Sequence, residues 1–394
     1  MADAAIKYGS EGRKVYFVTV VPKNRFFSAG KAETMAELVM PYKNVVQIVT
    51  ESVTGEFELG LPEYRIEAYT RLMKQHLPVG TAVIVSDDPD VWAAAAAMRA
   101  SFLLVGVLHA DEVNYFDLAS KYAASFDFYA CVSKRVAAKL ADRVPAWPRA
   151  RMAVIPCGIK LPMLQPQARA TKVCRLVYVG RLTEYQKRIS DLLNVALKLR
   201  ELKFDFQLTI VGDGGADKLA LQAAVQNAGM GECIKFAGWM AKEAVASILD
   251  TSDVMIMTSD FEGTPVAMME ALAAGCGFVG TRVSGIEDYE WVQGSKECFR
   301  IFEVGATSDA AQKIVELASI PFAQRTGAAR LIAEAHFDMA TCLHRYDEAI
   351  AGISRPCQAA SAPKFGVAGR LKSRLLYTMR VAKLRLASSR ASRL

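Results

Sequence analysis

The sequence predicts an α/β protein of two doubly wound domains. Three observations carry that prediction. Short β-branched or Leu-rich runs recur through most of the chain, and they lack strict polar alternation, as strands covered on both faces do. Each run is separated from the next by enough residues for a crossover helix. At 394 residues the chain is too long for one ordinary core and fits two.

In chain order, the first set of strands is read at "KVYFVTVV" (14–21), "NVVQIVT" (44–50), "TAVIVS" (81–86), "FLLVGVL" (102–108), "FYACVS" (128–133) and "MAVIP" (152–156). Together they predict one parallel sheet. The most apolar region, 91–108, is interrupted by Arg99 and reads as an Ala-rich helix and a strand, too broken to span a bilayer. Residues 1–160 therefore form a first domain, and the polar, Pro- and Gln-containing stretch 161–172 is a linker. The pattern restarts with "CRLVYVG" (174–180), "FQLTIVG" (206–212), "CIKFAG" (233–238), "DVMIMTS" (253–259) and "GFVGT" (277–281), giving a second doubly wound domain over 173–354. Its last helix is expected near 322–352 and can cross back to the first domain. Residues 355–394 are a basic tail.

Composition narrows the function classes. An apolar share of 52% excludes wholesale disorder. The eight cysteines include no CxxC pair and do not cluster with the four histidines, which suits a reducing cytoplasm. The N-terminus lacks the basic, apolar and small-residue succession of a secretion signal. Net charge is +7, yet ten Lys/Arg and no Asp/Glu follow Glu348, so the preceding residues carry 38 basic against 41 acidic groups. A slightly acidic body, with one aromatic, Tyr377, in the helical region of its basic tail, argues against nucleic acid as a partner.

Ligands of open parallel sheets bind outside the carboxyl ends of the strands. His109 stands there after one strand, and Gly180, Arg181, Lys187 and Arg188 after another. Gly212, Asp213 and Gly214 follow a third, and Glu262, Gly263 and Thr264 a fourth. Pro265 suits the first position of the next helix, with Thr264 as its cap and Val266 behind it. Free amides at a helix start, faced by Arg181 and Lys187, make a site for a diphosphate. Glu262 lies before that helix and Glu270 about one and a half turns into it, so both reach one cleft from different depths. So apolar a segment tolerates two carboxylates only where they have polar partners.

Six stretches in order, "LLVGVLHADE", "VIPCGI", "VGRLTEYQKRISDLL", "VGDGGADKLALQAAV", "IKFAGWM" and "EGTPVAMMEALAAG" with its E-x7-E spacing, resemble the nucleotide-sugar-dependent glycosyltransferases of family 4. The resemblance covers residues 14 to about 350. It implies the GT-B fold, two doubly wound Rossmann-like domains facing a central cleft, with the acceptor on the first and the sugar nucleotide on the second. By position, Arg181 and Lys187 resemble the basic pair on the donor diphosphate, and Glu270 the carboxylate on the ribose hydroxyls. Glu262 resembles the carboxylate at the transferred sugar, His109 the histidine beside the reacting sugar, and Gly30 the glycine of the loop after the first strand. The amides of Gly263, Thr264 and Val266 would hold sugar hydroxyls or phosphate, with Gly212, Asp213 and Gly214 nearby. The implied reaction is retaining transfer from a nucleoside diphosphate sugar to a saccharide or lipid-linked acceptor, without cofactor or metal. Two details depart from the family. Ala29-Gly30 stands where a glycine pair is common, and the loop between Arg181 and Lys187 is one residue longer, leaving Arg188 as an alternative to Lys187.

Other readings stand beside this one. Asp88-Pro89-Asp90 formally satisfies a DxD metal signature, although Asp-Pro before "VWAAAAAM" reads better as a helix start. "GDGGAD" has Asp217 where a dinucleotide fingerprint needs its last glycine, which argues against a nicotinamide site. A sugar-nucleotide epimerase or hydrolase, or a non-catalytic membrane-associated scaffold, could use the same fold. As a helix, residues 369–387 would gather Leu371, Leu375, Met379, Ala382 and Leu386 within about 80°, with cations outside that arc, the pattern of a helix lying on an anionic membrane surface.

Overall fold

Every strand pairing among the described residues is parallel. The computed structural model describes residues 2–22, 43, 46–53, 61–162 and 173–359. Gly30, most of the linker and the tail helix expected at 369–387 lie outside them.

The first half runs α1 (Ala2–Ser10), β1 (Val15–Pro22), β2 (Val46–Val53), α2 (Pro62–His76), β3 (Ala82–Val85), α3 (Pro89–Ala97), β4 (Leu103–Leu108), α4 (Val113–Lys121), β5 (Phe128–Cys131), α5 (Lys134–Arg143) and β6 (Met152–Val154). All six expected strands form. Among the described residues they divide into a β1–β2 pair and a four-stranded sheet of order β3-β4-β5-β6, rather than the one sheet expected. Apolar runs specify burial without saying which strand neighbours which, so this division was beyond their reach. Asp88 caps α3, accepting from the amides of Asp90 at 2.8 Å and Val91 at 3.4 Å, while Asp90 pairs with Arg65 at 2.5 Å. The Asp-Pro-Asp stretch is thus a helix start.

The second half runs β7 (Cys174–Val179), α6 (Glu184–Lys187), α7 (Ser190–Glu201), β8 (Phe206–Val211), α8 (Gly215–Asn227), β9 (Ile234–Gly238), α9 (Lys242–Asp250), β10 (Val254–Met257), α10 (Val266–Ala273), β11 (Gly277–Thr281), α11 (Ser295–Cys298), β12 (Phe299–Phe302) and α12 (Thr307–Ala318). Its sheet has the order β12-β11-β10-β7-β8-β9, with the interior strands β10 and β11 fully buried. β12 was not expected.

The single helix expected over 322–352 is two, α13 (Phe322–His336) and α14 (Met339–Ala351). Apolar spacing continues through the break, but Asp338 caps α14 by accepting from Ala340 and Thr341, and the Phe337 carbonyl receives the Ile159 amide at 2.8 Å. After this crossing, α14 packs Cys342, Tyr346 and Ile350 against Val105, Phe128 and Ile155 of the first half. The first helix α1 docks on it, with Tyr8 donating to the Leu343 carbonyl at 3.0 Å and Arg13 pairing with Asp347 at 2.5 Å. Beyond α14, Arg355 binds Asp127 at 2.6 Å and Gln358 donates its amide to Ala100 at 2.7 Å.

Candidate active site in the cleft between the domains

Strand ends from both halves meet at one cleft. The loop after β7 is zipped to the loop after β8: the Gly180 amide donates to Val211 at 3.0 Å and the Leu182 amide to Asp213 at 2.9 Å. Gly212 has φ +140°, and a Cβ there would lie 1.8 Å from the Gly180 carbonyl oxygen, so only glycine allows this approach. Gly214 is the residue before α8. Asp213 is exposed and paired with Lys218 at 3.1 Å; that pairing and the Gly214 amide hold its carboxyl below the usual range. Its carboxylate is thus engaged at the start of α8.

The long Arg181–Lys187 loop closes as the short helix α6, held where Asp217 accepts the Glu184 amide at 2.9 Å and Glu184 accepts the Ser190 hydroxyl at 2.6 Å. Arg181 remains exposed and donates to Gln186 at 2.6 Å, and Gln186 donates in turn to the Phe261 carbonyl at 3.2 Å. Lys187 is buried and forms an ion pair with the buried Glu262. Arg188 takes φ 44° and turns away to Asp191 at 2.8 Å and Asp260 at 3.7 Å. The geometry thus separates the two candidates: Lys187 belongs with Glu262, and Arg188 is already matched by carboxylates elsewhere.

The loop after β10 is the junction of the two halves. The Asp111 amide donates to the Glu262 carbonyl at 3.3 Å, and a Cβ on Gly263 would lie 1.7 Å from the His109 carbonyl oxygen. Thr264 does not cap α10 as expected. Its hydroxyl donates instead to the Val132 carbonyl of the first half at 2.5 Å, a partner that local sequence could not reveal. Pro265 is the residue before the helix, no side chain caps α10, and its first residue, Val266, is 48% exposed. The opening amides of α10 are left to whatever binds there, and their dipole favours an anion. Glu270 lies in the same helix, half-buried and engaged with neighbouring groups.

His109 follows β4, and burial lowers its pKa, opposed by the charge of Asp87. A neutral imidazole at the cleft results. Its Nδ1 lies 3.8 Å from the Sγ of Cys157, a residue that strand-end reasoning passed over because Cys157 lies in an irregular segment beyond β6. Also unanticipated is a polar seam between the halves, where Ser133 and Ser284 share a hydrogen bond of 2.6 Å and Arg135 forks onto Glu287.

Comparison with known proteins agrees with this architecture. Residues 173–319 match the family described as glycosyl transferases group 1. The amylovoran biosynthesis glycosyltransferase AmsK of Erwinia amylovora is 32% identical over 120 residues, 29% of either chain. The lipopolysaccharide 1,6-galactosyltransferase of Escherichia coli K12 is 27% identical over 159 residues, 40% of this chain and 43% of that one. The chain therefore spans well under half the length of these curated relatives. Among solved structures, Anabaena Alr3699/HepE in complex with UDP and glucose aligns over 89% of this chain and 94% of its own, with TM-score 0.66 at 16% identity. The lipopolysaccharide outer core galactosyltransferase WaaB aligns over 86% and 99%, with TM-score 0.62 at 16% identity. The fold is accordingly GT-B, and within it residues 173–319 are similar to the group 1 glycosyl transferases.

Proposed function

We propose that the protein is a retaining glycosyltransferase that moves a sugar from a nucleoside diphosphate sugar to a saccharide or lipid-linked acceptor, in the synthesis of a surface polysaccharide or glycolipid. The observation that carries this reading is the buried Lys187–Glu262 pair beside the uncapped start of α10. On donor entry Lys187 is shared between Glu262 and the diphosphate, and Arg181 and the α10 amides take the remaining phosphate oxygens. Glu262, released in part from Lys187, accepts hydroxyls of the transferred sugar, while Glu270 accepts the two ribose hydroxyls. Cations and amides fixed in advance stabilise the charge that develops on the departing diphosphate. Neutral His109 contributes a hydrogen bond at the reacting sugar. No cofactor or metal is needed for these roles.

One solved protein of this fold, Anabaena Alr3699/HepE, is in complex with UDP, with UDP and glucose, and with UDP-glucose, which favours a UDP-sugar donor. Calorimetric titration with UDP, GDP and ADP, repeated on Lys187→Ala and Glu270→Ala, tests the reading. One nucleotide should bind, and both substitutions should weaken it at least tenfold; well-folded protein that binds none of the three would remove the donor site.

The enzyme works in the cytoplasm, and its basic tail, residues 369–387, docks on an anionic membrane surface where a lipid-linked acceptor resides. No helix among the described residues is long and apolar enough to cross a membrane. Because Arg355 and Gln358 fasten the chain to the first domain, truncation after Ala359 removes the tail without loosening the fold. Full-length protein should float with vesicles containing phosphatidylglycerol and the truncated form should not; equal flotation would sink the tail's role.

A further inference from the structure

We propose that Cys157 is a positioning residue for His109, its thiol donating to Nδ1 and thereby fixing the imidazole as the tautomer that carries its proton on Nε2. The site reading explains why a histidine stands at the cleft but leaves its orientation open. A neutral imidazole offers one donor and one acceptor nitrogen, and the partner of one nitrogen decides what the other can do.

Four observations converge on Cys157. Its Sγ lies 3.8 Å from Nδ1, within reach of a hydrogen bond to sulfur. The thiol cannot drift from the ring, because its segment is held at both ends. The Ile155 amide donates to the Cys131 carbonyl at 2.8 Å, and Ile159 exchanges backbone hydrogen bonds with Phe337 and Met339 at the crossing between domains. The backbone that carries the ring is held too: the His109 carbonyl abuts Gly263 so closely that a Cβ could not fit. Finally, burial pushes the Cys157 thiol up and the His109 imidazole down, so both are neutral and a thiolate–imidazolium pair is disfavoured. Between neutral partners, the imidazole nitrogen is the stronger acceptor and sulfur the weaker one. The S–H therefore donates.

The consequence is chemical. With Nδ1 occupied as an acceptor, Nε2 on the far edge of the ring is a hydrogen-bond donor and has no lone pair to act as a base. His109 can donate to an oxygen of the sugar or of the departing phosphate, and it cannot remove the acceptor's proton. Cys157 thus excludes a general-base role for His109.

The tautomer is independent of the proposed function, whereas its effect on turnover rests on it. The test uses full-length protein labelled with 15N at histidine, and compares wild type with Cys157→Ala and Cys157→Ser by long-range 1H–15N correlation. His109 is assigned from a His109→Gln variant. In wild type and Cys157→Ser, whose hydroxyl can also donate, the protonated nitrogen should be Nε2. In Cys157→Ala a substantial Nδ1-protonated fraction should appear. An Nδ1–H tautomer in the wild type, or an unchanged spectrum in Cys157→Ala, would overturn the inference. Hydrolysis of UDP-glucose and UDP-galactose supplies the second readout. The Ala variant should lose about tenfold in kcat at unchanged affinity for UDP, well short of the ~10⁴ that a wholly wrong tautomer can cost, with Ser restoring it. A shifted tautomer at unchanged kcat would leave the inference standing and take His109 out of the transfer step.

Discussion

The hydroxyl of Thr264 donates to the carbonyl oxygen of Val132 at 2.5 Å, and so ties the loop that carries Glu262 to the opposite domain. The bond is buried, and its geometry makes the donor loop part of the interface between domains. Thr264→Val keeps the shape but leaves the Val132 carbonyl without that donor, at a cost of about 1–3 kcal/mol. Chemical denaturation should show the loss, and turnover should fall while UDP affinity stays within twofold. Wild-type stability together with wild-type turnover would contradict this account.

The Lys187–Glu262 pair yields a sharper expectation. Removing one partner strands a buried charge, which costs about 3–5 kcal/mol, whereas replacing both by apolar residues of similar size is far cheaper. Lys187→Met should therefore be less stable than Lys187→Met combined with Glu262→Leu, although neither should transfer sugar. A double-mutant cycle by urea denaturation checks the coupling; strictly additive effects would mean that the two charges are independently solvated.

Gly263→Ala places a Cβ against the His109 carbonyl, and no side chain can give way because the contact is backbone to backbone. The domains must then separate locally. Turnover should be abolished with destabilisation of about 1–3 kcal/mol, and the interdomain distance in solution scattering should grow. Near-normal activity in this variant would show that the cleft opens there at no cost.

Acidification acts through partly buried histidines. Burial lowers the pKa of both His109 and His336, Arg345 and Lys134 adding to the effect at His336. Below the ordinary value of 6.5 the unfolded chain takes up protons that the native state still refuses, so these groups destabilise the fold as pH falls from there toward their native pKa values. The melting temperature should drop between pH 7.5 and 5.5, and by less in His336→Gln, which lies outside the site. An identical slope in that variant would show that His336 does not contribute.

Strand ends and the E-x7-E segment were legible in the sequence because burial on both faces and special residue types leave a local trace. Non-local partners leave none. Thr264 has the chemistry of a cap and spends it on Val132; Cys157 meets His109 across a sequence separation of 48. β12 escaped because Phe299–Phe302 holds four residues including Arg300, too short for a periodic signal. The break between α13 and α14 escaped for the opposite reason: apolar spacing runs straight through Phe337, and the stop comes from a bond to Ile159 far upstream. The Arg188 alternative needed the backbone, since only its left-handed φ turns the side chain toward Asp191.

The return of α14 to the first domain also orders events during synthesis. The second domain has its strands and helices, through α13, once residue 336 has emerged, whereas the first still lacks the helix that covers Val105 and Ile155 and the Arg355 partner of Asp127. On a ribosome, which usually releases domains to fold in the order they are made, the later-made half is here the first that can be complete. The earlier half waits, with an apolar face uncovered, for α14 to close it.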